Sequence, residues 1–129
     1  MKVQIREVIE DKEGVWVRLD SAVGLFWALW GDGRPNVGHD YHVELEVDRL
    51  LRLGQSVMAT AATAFAIRGD DRSTPVVIVG RVTQVFREQG TVQIQVGDSV
   101  FDVELEGQVS PQSWIQLHAS RLTAYNENY

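Results

Sequence analysis

Apolar and polar residues alternate along most of this chain. Val15, Val17 and Leu19 are separated by Trp16 and Arg18, and Val43, Leu45 and Val47 by Glu44 and Glu46. The pattern returns in Val92, Ile94 and Val96, in Phe101, Val103 and Leu105, and in Ile115, Leu117 and Ala119. A period of two, rich in β-branched residues, predicts half-buried strands, because successive side chains of a strand point to opposite faces. Turn-formers fall between the runs: Lys12-Glu13-Gly14, Gly31-Asp32-Gly33, Gly69-Asp70-Asp71, Glu88-Gln89-Gly90 and Gly97-Asp98-Ser99. Short strands at this spacing predict an all-β fold, a small barrel or sandwich.

The pattern also repeats. Gly31 and Pro35 recur as Gly107 and Pro111, and the same spacing sets Leu25, Trp27 and Leu29 on Phe101, Val103 and Leu105. Val15, Val17 and Leu19 match Val92, Ile94 and Val96 after a one-residue shift. Val43, Leu45, Arg49 and Leu50 match Ile115, Leu117, Arg121 and Leu122 if four residues are inserted after Pro35. This predicts two tandem four-strand meanders, residues 1–53 and 76–129, in a single domain of 1–129. Each copy is short for a core of its own, so the two are expected to share one. In the connector, 54–75, the run from Val57 to Ile67 is ambiguous. Its alanines favour helix, whereas its threonines and the Phe65/Ile67 alternation favour strand. The reading leans to strand over roughly 60–68 and leaves a short helix within 54–68 open.

The copies differ on one strand. Asp102, Glu104 and Glu106 form the outward face in the second, but their counterparts in the first are Phe26, Ala28 and Trp30, opposite an inward face already filled by Leu25, Trp27 and Leu29. A strand apolar on both sides is either covered from within or a contact surface. The alanine-rich segment, Ala59 to Ala66, is the expected cover, more firmly for Phe26 than for Trp30.

With 129 residues the chain suits one domain. It has no cysteine, which removes disulfides, thiolate metal sites and thiol catalysis. The formal net charge is −6 and no basic run interrupts it, which argues against nucleic acid as a main ligand, since phosphate contacts need a basic surface. No apolar run approaches the roughly 20 residues of a membrane helix, and residues 1–7 lack the apolar core of a secretory signal. A cytoplasmic address and no membrane partner are the simplest expectations. The acidity serves either solubility or a basic partner.

The stretch containing Pro35, Gly38, Tyr41, Val43, Glu44, Leu45 and Asp48 resembles a group of small bacterial β-barrel proteins of uncharacterised activity. They share a Pro-x-x-Gly-x-x-Tyr-x-Val-Glu-Leu-x-x-Asp core. The resemblance implies a small barrel and carries no functional residue with it. More loosely the chain resembles the OB-fold, a small Greek-key barrel whose architecture does not by itself name a ligand.

Candidate chemistry is sparse. His39 and His42 lie three apart beside Asp40 and Glu44, a spacing that on a strand or loop points the rings apart, so no metal site is expected. The carboxylate rows Glu44, Glu46, Asp48 and Asp102, Glu104, Glu106 read as solvated sheet faces rather than a glycosidase pair. No nucleophile stands beside a base, and Gly31-x-Gly33 lacks the rest of a dinucleotide motif. The sequence therefore points to a non-enzymatic, cofactor-free protein-binding module, in its sharpest form an acidic inhibitor or immunity-type protein. The residues expected at its binding surface are Trp16, Phe26, Trp30, His39, Tyr41, Asp102, Glu104 and Glu106. The alternative is a barrel that binds an oligosaccharide or other small ligand by stacking on Trp16, Trp27 or Trp30.

Overall fold

The computed structural model describes residues 1–127. The described residues form twelve strands: β1 (Lys2–Asp11), β2 (Gly14–Ser21), β3 (Gly24–Trp30), β4 (Asp40–Val47), β5 (Leu51–Arg52), β6 (Val57–Ala59), β7 (Ala66–Arg68), β8 (Val76–Phe86), β9 (Thr91–Val96), β10 (Ser99–Glu106), β11 (Trp114–Ala119) and β12 (Leu122–Asn126). One 3-10 turn, Arg87–Gln89, joins β8 to β9 and ends on left-handed Gly90. The fold is all-β. Among the described residues no helix is long and apolar enough to cross a membrane.

The strands make two barrel-like sheets. The first closes completely in the order β1-β2-β3-β12-β4. The second runs β5-β10-β9-β8-β11-β6, and only an isolated bridge between Leu53 and Val57 links its two ends, so it is nearly closed. Each is built on an antiparallel meander, β1-β2-β3 and β8-β9-β10, with β4 returning beside β1 and β11 beside β8. In each, the third strand then meets a parallel strand drawn from the other half of the chain: β12 lies against β3, and β5 against β10. The sequence pattern of two four-strand meanders did not contain these exchanged strands.

The pairing registers of the two sheets correspond residue by residue. Leu19 opposes Phe26 as Ile94 opposes Phe101, and Val17 opposes Ala28 as Val92 opposes Val103. A bulge falls between Ile5 and Glu7 of β1, and another between Val82 and Gln84 of β8. Directly opposed residues of a sheet share a face. Since Val17 and Leu19 are core residues, Phe26, Ala28 and Trp30 point inward with them. This corrects the expected orientation of β3: Leu25, Trp27 and Leu29 face out, and the match to Phe101, Val103 and Leu105 is shifted by one residue. The same face-sharing sets Gly31 beside the position of Glu106 rather than Gly107. Likewise β4 aligns through Tyr41, Val43 and Leu45 with Ile115, Leu117 and Ala119, because Val3 opposes Tyr41 and Gly80 opposes Ile115.

The connector also differs from expectation. No helix forms in 54–68, and of 60–68 only Ala66–Arg68 is a strand. Residues 61–64 are exposed, so the alanines cover neither Phe26 nor Trp30; the barrel interior does. β7 instead stitches the two barrels together. It pairs with β8, and along its other side the Ile67 N–H donates to the Val23 carbonyl (3.0 Å) and the Gly69 N–H to the Leu25 carbonyl (3.1 Å). Gly24 permits this approach. It has φ +143°, and a Cβ there would overlap the Ile67 carbonyl oxygen. Buried side chains of both barrels form one continuous core that includes Phe26, Ile67, Val76 and Leu51.

Candidate functional site

β4 of the first barrel and β10 of the second lie side by side without pairing. Alternation turns Val43 and Leu45 of β4 inward, so Glu44 and Glu46 face out, with Asp48 just beyond the strand. On β10, Phe101 and Val103 turn inward and Asp102 and Glu104 face out. These residues line one open cleft of about 570 Å³, with Tyr125 of β12 and Arg49 on its wall. Two carboxylate rows far apart in sequence thus share one groove.

The carboxylates are not equivalent. Asp48 accepts from Arg121 Nε (3.0 Å) and from the Thr123 hydroxyl (2.9 Å), and Arg121 also lies 3.5 Å from Glu13. Glu106, outside the cleft, pairs with Arg52 at 3.3 Å. Among the described residues no lysine, arginine or histidine forms an ion pair with Glu44, Glu46, Asp102 or Glu104. The cleft therefore keeps a net negative field, and Tyr125 senses it. Its ring, 40% exposed, rests on Gly31, where a Cβ would overlap it. The Glu46 charge beside it, then burial, then Asp48 push its phenol above the usual range. Among the described residues no three histidines or carboxylates stand close enough to hold a metal ion.

The other residues expected at a binding surface are placed differently. Phe26 is fully buried inside the first barrel, and Trp30 is nearly so at 8% exposure. Neither can anchor a partner without unfolding. Trp30 meets Tyr41 edge to face at 5.2 Å, and the Tyr41 hydroxyl accepts from the Asn36 N–H (3.1 Å), so both close one end of that barrel. Trp16 lies on the outer side of β2 but is only 6% exposed. Its indole N–H is buried near Asp11 without a well-formed hydrogen bond. Trp27 is also buried, which leaves Trp16, Trp27 and Trp30 without an open face for stacking. His39 is exposed in the loop before β4, held by its backbone to Asn36 and Ile5. Neither His39 nor Tyr41 lines the cleft. Of the eight, only Asp102 and Glu104 do; Glu106 lies outside it, in a separate depression beside Leu50.

Sequence reasoning missed Tyr125, which belongs to no motif, and left Glu44 and Glu46 as a solvated row. Their alternation was the available signal. Their partner row was not, because only the tertiary fold brings β4 to β10.

Comparison with protein-family models, with curated proteins and with solved structures finds no match.

Proposed function

We propose that this chain is a non-enzymatic binding module whose inter-barrel cleft takes a basic segment of a partner protein, as an acidic inhibitor or immunity-type protein would. One observation carries the reading: Glu44, Glu46, Asp102 and Glu104, from two different barrels, face one groove, and among the described residues none of them forms an ion pair, with Arg49 alone of the cations on its lining. Opposed like charges destabilise the free protein slightly and are relieved by a cationic ligand. Tyr125 offers a ring face for a guanidinium or ammonium group between the two rows. Acidic walls also steer a basic partner during encounter. Tyr125, rather than the buried Phe26 and Trp30, is the aromatic contact in this reading.

We read each sheet, further, as an OB-type barrel and the chain as a duplicated one. Support comes from the strand order, a meander whose third strand is parallel to the fifth while the fourth returns to the first, and from the matched bulges. The small-ligand alternative loses its stacking platforms to burial.

The test is calorimetric titration with a short lysine-rich peptide at low and at physiological salt. Binding should weaken with salt, because exposed charges are screened. The quadruple variant Glu44→Gln, Glu46→Gln, Asp102→Asn, Glu104→Gln should lose about tenfold or more in affinity. Equal binding by wild type and variant would refute the reading.

A further inference from the structure

The walls of the cleft carry more than charge. The Leu105 N–H donates to the Gly90 carbonyl across the β9–β10 ladder (2.9 Å). In an antiparallel pair the bonded positions alternate, so Ser99, Phe101 and Val103 bond to β9 as well. Val100, Asp102 and Glu104 then turn their backbone groups the other way, Asp102 and Glu104 on the cleft and Val100 on the adjoining depression that continues it past Val43 and Leu45. β5 takes up only the far end of that edge, at Leu105–Glu106, where the Leu53 N–H donates to the Glu106 carbonyl (2.9 Å). Upstream, among the described residues, Ser99–Asp102 pairs with a strand on one side only.

β4 repeats the arrangement. Its His42 carbonyl accepts from the Glu127 N–H on the β12 side (2.8 Å), which assigns His42, Glu44 and Glu46 to that ladder. Val43 faces the other way and exchanges bonds with Met1. Leu45 and Val47 point to the same side beyond the reach of β1, whose pairing with β4 covers only Lys2–Gln4. Two strands thus present open edges to one groove. Such edges are usually blunted by charge or bulges; here acidic side chains outnumber Arg49 along the groove, so it repels acidic strands and admits basic ones.

We infer that the ligand of the cleft is an extended, lysine- or arginine-rich segment that adds as a strand to the open edge of β10. This rests on the basic-ligand reading above and specifies how that ligand binds. Main-chain hydrogen bonds to Val100 and Asp102 would supply sequence-independent affinity, and the carboxylates would select alternate basic side chains. A folded basic surface or a compact cation would use the charges but not the edge.

Amide exchange of the full chain, followed by NMR, reads the edge directly. The probe is a short peptide of alternating lysine and threonine. In the free protein the amides of Val100 and Asp102 should exchange much faster than those of Phe101 and Val103. On binding, Val100 and Asp102 should slow by tenfold or more. A same-charge peptide N-methylated at alternate residues, which lacks the edge-facing donors, should bind at least tenfold more weakly. A Val100→Pro variant removes one edge donor and no charge, and should show the same loss, whereas Val100→Ala should not. If both peptides bind equally and Val100 and Asp102 stay unprotected, strand addition is overturned while the basic-ligand reading stands. If neither peptide binds, both fall.

Discussion

Two glycines show how single residues hold the barrels in register. Gly24 lets β7 approach β3 within backbone contact, and Gly31 gives Tyr125 its seat. The obstacles differ: a Cβ at Gly31 meets the end of a side chain, one at Gly24 meets main chain. Gly31→Ala should therefore cost about 1–3 kcal/mol, with the Tyr125 ring displaced. Gly24→Ala should cost more, because Ile67 cannot step aside and φ +143° is itself unfavourable for alanine. Urea denaturation of both variants checks the order, and a Gly24→Ala protein as stable as wild type would disprove the seam. Phe26→Ala, deep in the first barrel, should cost about 3–5 kcal/mol. Asp71 provides a pH signature. The Ser73 hydroxyl, then the Ser73 and Thr74 N–H groups, hold its carboxyl below the ordinary range. A lowered pKa makes the stabilisation complete above the unfolded value, about 3.9, and lost as pH falls through the folded one. The stability gap between wild type and Asp71→Asn should thus shrink below about pH 4; a gap constant with pH would contradict it.

At the level of elements, β12 decides whether the first barrel closes, since it alone joins β3 to β4. Asp48 ties its start through Thr123 and Arg121, and the Gly31 N–H donates to Ala124 (2.9 Å). Deleting residues 122–129 should abolish the cooperative thermal transition of the whole chain, measured by near-ultraviolet circular dichroism, rather than fray one end. β2, β4, β9, β10 and β11 were legible because apolar residues alternate along each of them with a second, mostly polar face. β3 was legible as a strand but not in phase. With Leu25 to Trp30 apolar on both sides, nothing in its own residues chooses a face, and the choice is made across the ladder by Val17 and Leu19. β5 and β6 have two or three residues each, too few to show a period, and exist because longer strands offer them edges; β7 was read from the Phe65/Ile67 alternation, but over too long a stretch. The cleft was half legible. Glu44, Glu46, Asp102 and Glu104 stood out as rows, but their meeting depends on pairings between the two halves of the chain.

For the molecule as a whole, the exchanged strands make the halves interdependent. The first barrel needs β12 and the second needs β5 and β6. Residues 1–74 and 75–129, made separately, should each lack stable structure and regain it when mixed, which heteronuclear NMR of one labelled half would detect. A folded isolated half would contradict the exchange. The same feature governs how the protein is born. Domains generally fold as units during synthesis, the earlier one first, but here the earlier barrel is missing a stave until β12, which follows the whole second meander, has left the ribosome. Until then β3 and β4 wait with exposed edges, a condition that invites pairing with neighbouring nascent chains. Closure must also join β12 to β3 and β4, strands far from it in sequence, which favours slow folding. Efficient production should thus depend on what shields the nascent first barrel, and slowing translation should lower rather than raise the yield of folded protein.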